Sequence, residues 1–195
     1  LIFLYSCSSK EKTIYAEPKR IIPLEKLYAL AYQNFEDQNY KDAVKLFKDI
    51  EKNYSFNTQW ASKSLLMRGY IYYESSRYVE SLEILKKFKT RFAGNKNIDY
   101  VEYLMAMCLF EQINIIALSQ ESTLLAERQF KKIISNYPTS KYAEDSKFKL
   151  DLIQDQLAGK EMYIARYYMK RAKWGPALVR LNNVVKYYQT TVYIE

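Results

Sequence analysis

One pattern recurs four times along this chain, and few folds accommodate it. It runs small residue, large apolar residue four positions on, another three positions on, then an aromatic after four more. The copies are Ala43, Phe47, Ile50, Tyr54; Ser81, Leu85, Phe88, Phe92; Ala126, Phe130, Ile133, Tyr137; and Ala177, Leu181, Val184, Tyr188. Steps of four and three put each set on one face of a helix. A small residue stands twelve positions before the first, second and fourth copies: Ala31, Gly69 and Ala165. In the third the mate is Ala106, twenty positions before Ala126, so the pattern predicts an insertion of eight residues within INIIALSQES. Paired small residues let two helices cross closely. The predicted fold is all-α, a tetratricopeptide-repeat α-solenoid built of helix–turn–helix units.

Four units are expected, at about 24–54, 60–92, 99–137 and 141–188, with 189–195 opening a further, truncated or missing one. Successive copies start 38, 45 and 51 residues apart, and the last spacing predicts one long helix from about Lys141 to Lys173, running through Gly159. The stretches FEDQNYKDA, ESSRYVES and KRAKWGPA read as turns within units; NYSFNT, AGNKN and NYPTS read as breaks between them. Pro138 stops one helix, and Thr139 or Ser140 caps the next. Tyr72, Tyr168, Phe47, Phe88 and Phe130 are expected in the core, with Cys108 as a buried small residue.

Composition narrows the function classes. With no histidine, histidine triads, metal sites and proton shuttles are excluded. No glycine-rich phosphate loop occurs, and two distant cysteines do not make a zinc site. No constellation of residues points to catalysis, so neither an enzyme nor a cofactor is expected. The net charge of +8 would suit nucleic acid, anionic lipid or an acidic protein, but the basic residues are spread through KFKTRF, FKKI and KRAKW and form no block.

The N-terminal stretch LIFLYSCSSKEK adds a location. Residues 1–6 read as the end of a signal peptide, and Leu4-Tyr5-Ser6-Cys7 fits a bacterial lipobox. Cys7 would carry the lipid, Ser8 and Ser9 give no signal for inner-membrane retention, and 1–23 would comprise the leader end, lipobox and polar tether. Several acyl chains together anchor firmly where one does not.

LEKLYALAYQNFEDQNYKDAVKLFKDIEKNY (24–54), NKNIDYVEYLMAM (95–107) and the stretch from Ser135 to Tyr188 resemble the BamD family, older name ComL. The resemblance covers about 24–188. It implies a periplasmic scaffold lipoprotein on the outer membrane, part of the β-barrel assembly machinery. Its implied partners are the periplasmic domains of the barrel-forming subunit, other assembly lipoproteins and unfolded outer-membrane proteins, with a lipid anchor in the membrane and no nucleic acid. The family usually has five repeats, and its proline after the first repeat's aromatic is Ser55 here. Arg180 matches a basic family position that faces the barrel subunit's last periplasmic domain; Lys170, Arg171, Lys173 and Lys186 lie near it in sequence. Two other readings share part of the pattern: another periplasmic repeat lipoprotein coordinating cell-envelope processes, and a cytosolic adaptor or RNA-associated solenoid.

Repeat phase predicts a groove. Taking Ala31, Gly69 and Ala106 as equivalent, the concave positions lie three before, one after and four after each. They are Tyr28, Tyr32, Phe35; Leu66, Tyr70, Tyr73; and Tyr103, Met107, Phe110. Around Ala165 the same rule gives Met162, Arg166 and Met169, so the aromatic lining fades toward the C-terminal end. Tyrosine suits a peptide groove because it joins rigid apolar area to a hydroxyl.

Overall fold

The computed structural model describes residues 22–113 and 121–194. Cys7, its lipobox and all of the tether except Ile22 and Pro23 lie outside them, as do residues 114–120 of the expected insertion. The described residues form eight helices and no strand: α1 (Leu24–Glu36), α2 (Tyr40–Asn53), α3 (Thr58–Glu74), α4 (Tyr78–Arg91), α5 (Ile98–Phe110), α6 (Glu121–Asn136), α7 (Lys141–Met169) and α8 (Trp174–Tyr187).

α2 shows why these stretches are helical. Ala43, Phe47 and Ile50 are fully buried on one face, while Lys41, Lys45, Lys48 and Lys52 are exposed on the opposite one. The same inner face recurs as Ser81, Leu85, Phe88 in α4 and Ala126, Phe130, Ile133 in α6, every residue fully buried. In α8 it weakens: Ala177 and Val184 are buried, but Leu181 is only half-buried. Caps fix two helix starts. The Asn57 side chain accepts from Trp60 N at 3.3 Å, and Ser140 Oγ accepts from Tyr142 N at 3.3 Å.

Each helix packs antiparallel on the next, and α3 also touches α5, and α5 touches α7. No comparable packing joins α2, α4, α6 and α8. The odd-numbered helices therefore line the concave side of a tetratricopeptide-type solenoid, and the even-numbered ones form its outside. Ala31, Gly69, Ala106 and Ala165 are buried where the helices of a pair cross. At Gly69 the approach is closest: an added Cβ would stand 2.7 Å from Leu85 Cδ2. Ser81 Oγ donates to the Gly69 carbonyl at 2.8 Å across this crossing, and the Cys108 thiol donates to Ser81 Oγ at 3.2 Å. Burial pushes that thiol up to about 11, which keeps it protonated and unreactive at neutral pH.

Two core expectations need correcting. Tyr72 and Tyr168 are half-buried, because each lies in the last turn of its helix, where no following helix covers it. The Tyr72 ring instead lies under the Arg77 guanidinium at 4.7 Å. The long helix α7 runs unbroken through buried Gly159 and stops at Met169, four residues before Lys173.

That stop belongs to a repeated device. Gln38, Ser76 and Ala172 have φ of 59°, 58° and 55° at equivalent places in three turns within repeats. At each, the next residue donates back across six residues: Asn39 N to Asn34 O at 2.8 Å, Arg77 N to Tyr72 O at 2.8 Å, Lys173 N to Tyr168 O at 3.0 Å. This is the left-handed helix stop that usually takes glycine. Ala172 has no side-chain hydrogen bond to lose, so Ala172→Gly should stabilise the chain by about 0.5 kcal/mol, the relieved strain less the added chain entropy. Thermal unfolding checks it; a lower midpoint would mean that the left-handed strain at this position is negligible.

Candidate functional site

The concave side carries two groups of aromatic rings, one joining α1 to α3 and one joining α5 to α7. On α1 the Tyr32 and Phe35 rings lie 6.0 Å apart, and Phe35 meets Tyr70 of α3 edge-on at 5.7 Å. On α5, Tyr103 stacks on Tyr142 of α7 at 5.0 Å, and Tyr100 meets the same ring at 5.2 Å. Tyr73 of α3 lies between these groups, half-buried, with its ring 5.8 Å from Tyr78.

Carboxylates sit among the rings. Tyr103 donates to Asp145 Oδ2 at 2.5 Å, and Tyr70 is hydrogen-bonded to Glu74. Burial, then that Glu74 bond, pushes the Tyr70 phenol up to about 12; burial, then the Glu111 charge, does the same to Tyr73. Tyr100 and Tyr103 are raised further, again by burial first. All four phenols therefore stay protonated at neutral pH. The Tyr103 and Tyr70 hydroxyl protons are committed to Asp145 and Glu74, so these rings offer a ligand chiefly their apolar faces, which suit an aromatic side chain. No group of three or more potential metal ligands occurs among the described residues.

The predicted lining divides. Tyr32, Phe35, Tyr70, Tyr73 and Tyr103 belong to the concave rings. Phe110 sits at their edge, its ring 6.1 Å from the buried Phe130. Leu66 is half-buried against the middle core. Tyr28 turns away and is wedged edge-on between Phe47 at 5.3 Å and Trp60 at 5.0 Å. Met107 is 8% exposed and packs with Ala106 and Phe130. The lining does fade on α7, where Arg166 is exposed and Met162 and Met169 are half-buried.

Tyr100 and Tyr142 were not in the predicted lining. Tyr100 stands three before Tyr103 and seven before Met107, so extending the same helical stripe by one turn finds it. Tyr142 had no such signal, because α7 begins about four turns earlier than its repeat phase requires.

The basic residues near the C-terminal end are partly occupied within the chain. Arg180 Nη1 reaches the two Glu161 oxygens at 3.1 and 3.3 Å, and Asn183 Nδ2 donates to the same carboxylate at 2.9 Å. The Arg171 guanidinium lies 3.9 Å from the Tyr167 ring centre, Lys186 lies 4.9 Å from that of Tyr187, and Lys170 and Lys173 are exposed in the α7–α8 turn. Around them α8 exposes Trp174, Leu178, Val179 and Val185, each about six-tenths accessible.

Known proteins resemble the chain closely. The profile of the YfiO family, described as outer membrane lipoprotein, matches residues 22–195. A relative from Caulobacter vibrioides named outer membrane protein assembly factor BamD is 34% identical over 187 residues, covering 95% of this chain and 60% of its own. Relatives of the same name from Rickettsia prowazekii and Neisseria gonorrhoeae are each 32% identical, covering 89% and 88% of this chain and 68% of theirs. The chain thus spans about three fifths to two thirds of its relatives' length. Among solved structures, that of MamA protein aligns with a TM-score of 0.51 at 15% identity, over 84% of this chain and 94% of that one, a likeness of fold alone. No helix among the described residues is long and apolar enough to cross a membrane. The chain belongs to the YfiO family of outer membrane lipoproteins, the family of the assembly factors named BamD.

Proposed function

We propose that this chain is a non-enzymatic scaffold of outer-membrane protein assembly. It holds extended segments of unfolded outer-membrane proteins in its tyrosine-lined groove, on the periplasmic side of the outer membrane. A lipid on Cys7 anchors it there. The observation that carries the groove reading is the set of rings on the concave side, Tyr32, Phe35 and Tyr70 toward one end and Tyr103 and Tyr142 toward the other. An extended peptide can lay its aromatic side chains on such faces. Tyr32 is 42% exposed and free to meet a ligand.

The test is a titration of a fluorescent peptide, carrying the C-terminal strand of an outer-membrane protein, against the wild type and a Tyr32→Ala, Tyr70→Ala double variant. At about 1 to 2 kcal/mol per anchoring ring, the variant should bind roughly 30- to 1,000-fold more weakly. Equal affinity, with helicity retained, would remove this part of the groove as the binding site.

The barrel-forming subunit is the proposed main partner, met through Arg180, Arg171 and Lys173. Because Arg180 is already paired with Glu161, Arg180→Glu would set two like charges against each other inside the α7–α8 pair. Arg171→Glu with Lys173→Glu is the cleaner probe, since neither side chain forms an ion pair among the described residues. Co-purification with the barrel subunit should fall severalfold; undiminished recovery would place the contact elsewhere.

A further inference from the structure

Because the helices alternate in direction, chain entry at Ile22 and the turns between repeats share one edge of the solenoid. The Tyr54 hydroxyl reaches the Ile22 carbonyl at 3.5 Å, which places the first of those turns beside the entry point. At the tip of that turn Phe56 is 80% exposed, the most exposed large apolar side chain among the described residues. Beside it opens a cavity of about 490 Å³, between the start of α3 and the α4–α5 turn. Its wall includes Thr58, Ser62, Lys63, Arg91, Asn95 and Lys96, and no acidic residue. Arg91 Nη2 also reaches the Ser55 carbonyl at 3.4 Å, so the basic wall and the turn bearing Phe56 are one surface. Exposed Lys52 flanks it at the end of α2. The opposite edge of the first three repeats carries exposed Glu36, Asp37, Glu74 and Glu111 beside Lys41 and Arg77, while exposed Glu25 and Asp49 lie near the first edge, outside the cavity wall.

An exposed ring beside a basin walled by Lys63 and Lys96 and by no acidic residue has the chemistry of a peripheral lipid contact. The ring enters the boundary between headgroups and acyl chains, and lysine and arginine meet headgroup phosphates. We propose that this edge rests on an anionic phospholipid surface, with Phe56 as the inserted group and Lys52, Lys63 and Lys96 meeting headgroup phosphate, while Arg91 stays paired with Glu51. The choice of lipid over a nucleic acid rests on the anchor reading given above. Cys7 lies fifteen residues before Ile22, where the chain enters the solenoid at this edge. An acylated Cys7 thus holds this edge, rather than the acidic one, at the bilayer. The contact would fix the orientation of the solenoid, leaving the groove to face sideways along the membrane.

The experiment uses the full chain carrying Cys7→Ser, so that no lipid tethers it, and vesicles of phosphatidylcholine with and without phosphatidylglycerol. Binding should require phosphatidylglycerol. Replacing Lys52, Lys63 and Lys96 by Gln should weaken it at least about tenfold, since each cation near the surface contributes. Lys41→Gln with Lys45→Gln, on the outer ridge of α2, should change it less than about twofold, being directed away from the surface. The indole introduced by Phe56→Trp should shift its emission to the blue only with the anionic vesicles. Equal loss from both sets of lysine changes, or an unshifted indole, would overturn the proposal, and so would binding of single-stranded RNA through the same residues with none to vesicles. The anchor reading is tested separately, by the mass of the mature N-terminus in cells. Because the vesicle protein carries no lipid, either result can fail while the other stands.

Discussion

Glu51→Ala should cost about 3 to 5 kcal/mol of stability, and lower the unfolding midpoint by about 10 °C. Glu51 ends α2 and is 6% exposed. Its carboxylate takes Arg68 from α3, with Lys87 at 2.5 Å and Arg91 at 3.3 Å from α4. Arg68 is itself only 7% exposed, and its Nε has no partner among the described residues. Removing the carboxylate strands a buried guanidinium, and that desolvation penalty dominates the cost. The loss of the more exposed Lys87 and Arg91 pairs contributes little beside it. Glu51→Leu combined with Arg68→Met removes both charges and should recover most of the stability, which a double-mutant cycle reads directly. Since repeats are stabilised chiefly by their neighbours, the single variant should also loosen the first repeat selectively. Amide exchange in α1 and α2 should then accelerate more than in α7. Uniform acceleration, or a single variant as stable as the wild type, would show that the cluster is solvated in solution.

This cluster also shows where the sequence was hard to read. The four-and-three spacing identifies Phe47, Phe88 and Phe130 because a helix converts local spacing into a face. Glu51 and its partners are separated by 17, 36 and 40 positions. No local periodicity encodes such a meeting. A second case lies in α5, where Glu102 is 2% exposed and takes Lys89 at 2.5 Å and Lys132 at 3.5 Å. Basic residues that the sequence shows only as spread along KFKTRF and FKKI thus include several that close the junctions between repeats. The left-handed stops at Gln38, Ser76 and Ala172 were hidden for a different reason. None is glycine, so the residue type that would have announced them is absent.

The positions of the concave rings were legible to the extent that repeat phase governs them. Tyr32, Phe35, Tyr70, Tyr73 and Tyr103 follow from counting outward from the small residues. Tyr28 departs because Trp60, at the start of α3, draws its ring into the junction between repeats. Met107 departs because α6 lies close against that face of α5, burying it with Phe130. In both cases a neighbour from the next helix decides which side of a half-exposed stripe is covered.

Phe130 joins the core to the groove, and Phe130→Ala should therefore have two effects. Its ring is fully buried, and losing it should destabilise the chain by about 3 to 5 kcal/mol, through lost transfer energy and a residual cavity. Its neighbours include Tyr103 at 6.3 Å and Phe110 at 6.1 Å, both on the concave helix α5. With the support behind them gone, these rings can settle into the cavity and withdraw from the groove. Phe88 is the matched control. It is equally buried, but its ring partner is Phe92 at 5.4 Å, at the break between repeats and outside the groove. Phe88→Ala should thus cost about the same stability, within the scatter of such substitutions. Peptide titrations at a temperature where both variants remain folded separate the two effects. Phe130→Ala should bind the outer-membrane peptide severalfold more weakly than Phe88→Ala. Identical affinities would mean either that Asp145 and Tyr142 hold Tyr103 in place unaided, or that the peptide engages only the first two repeats; adding Asp145→Ala and Tyr142→Leu to Phe130→Ala removes both the hydrogen bond and the stacked ring and distinguishes these, since only in the first case does affinity then fall.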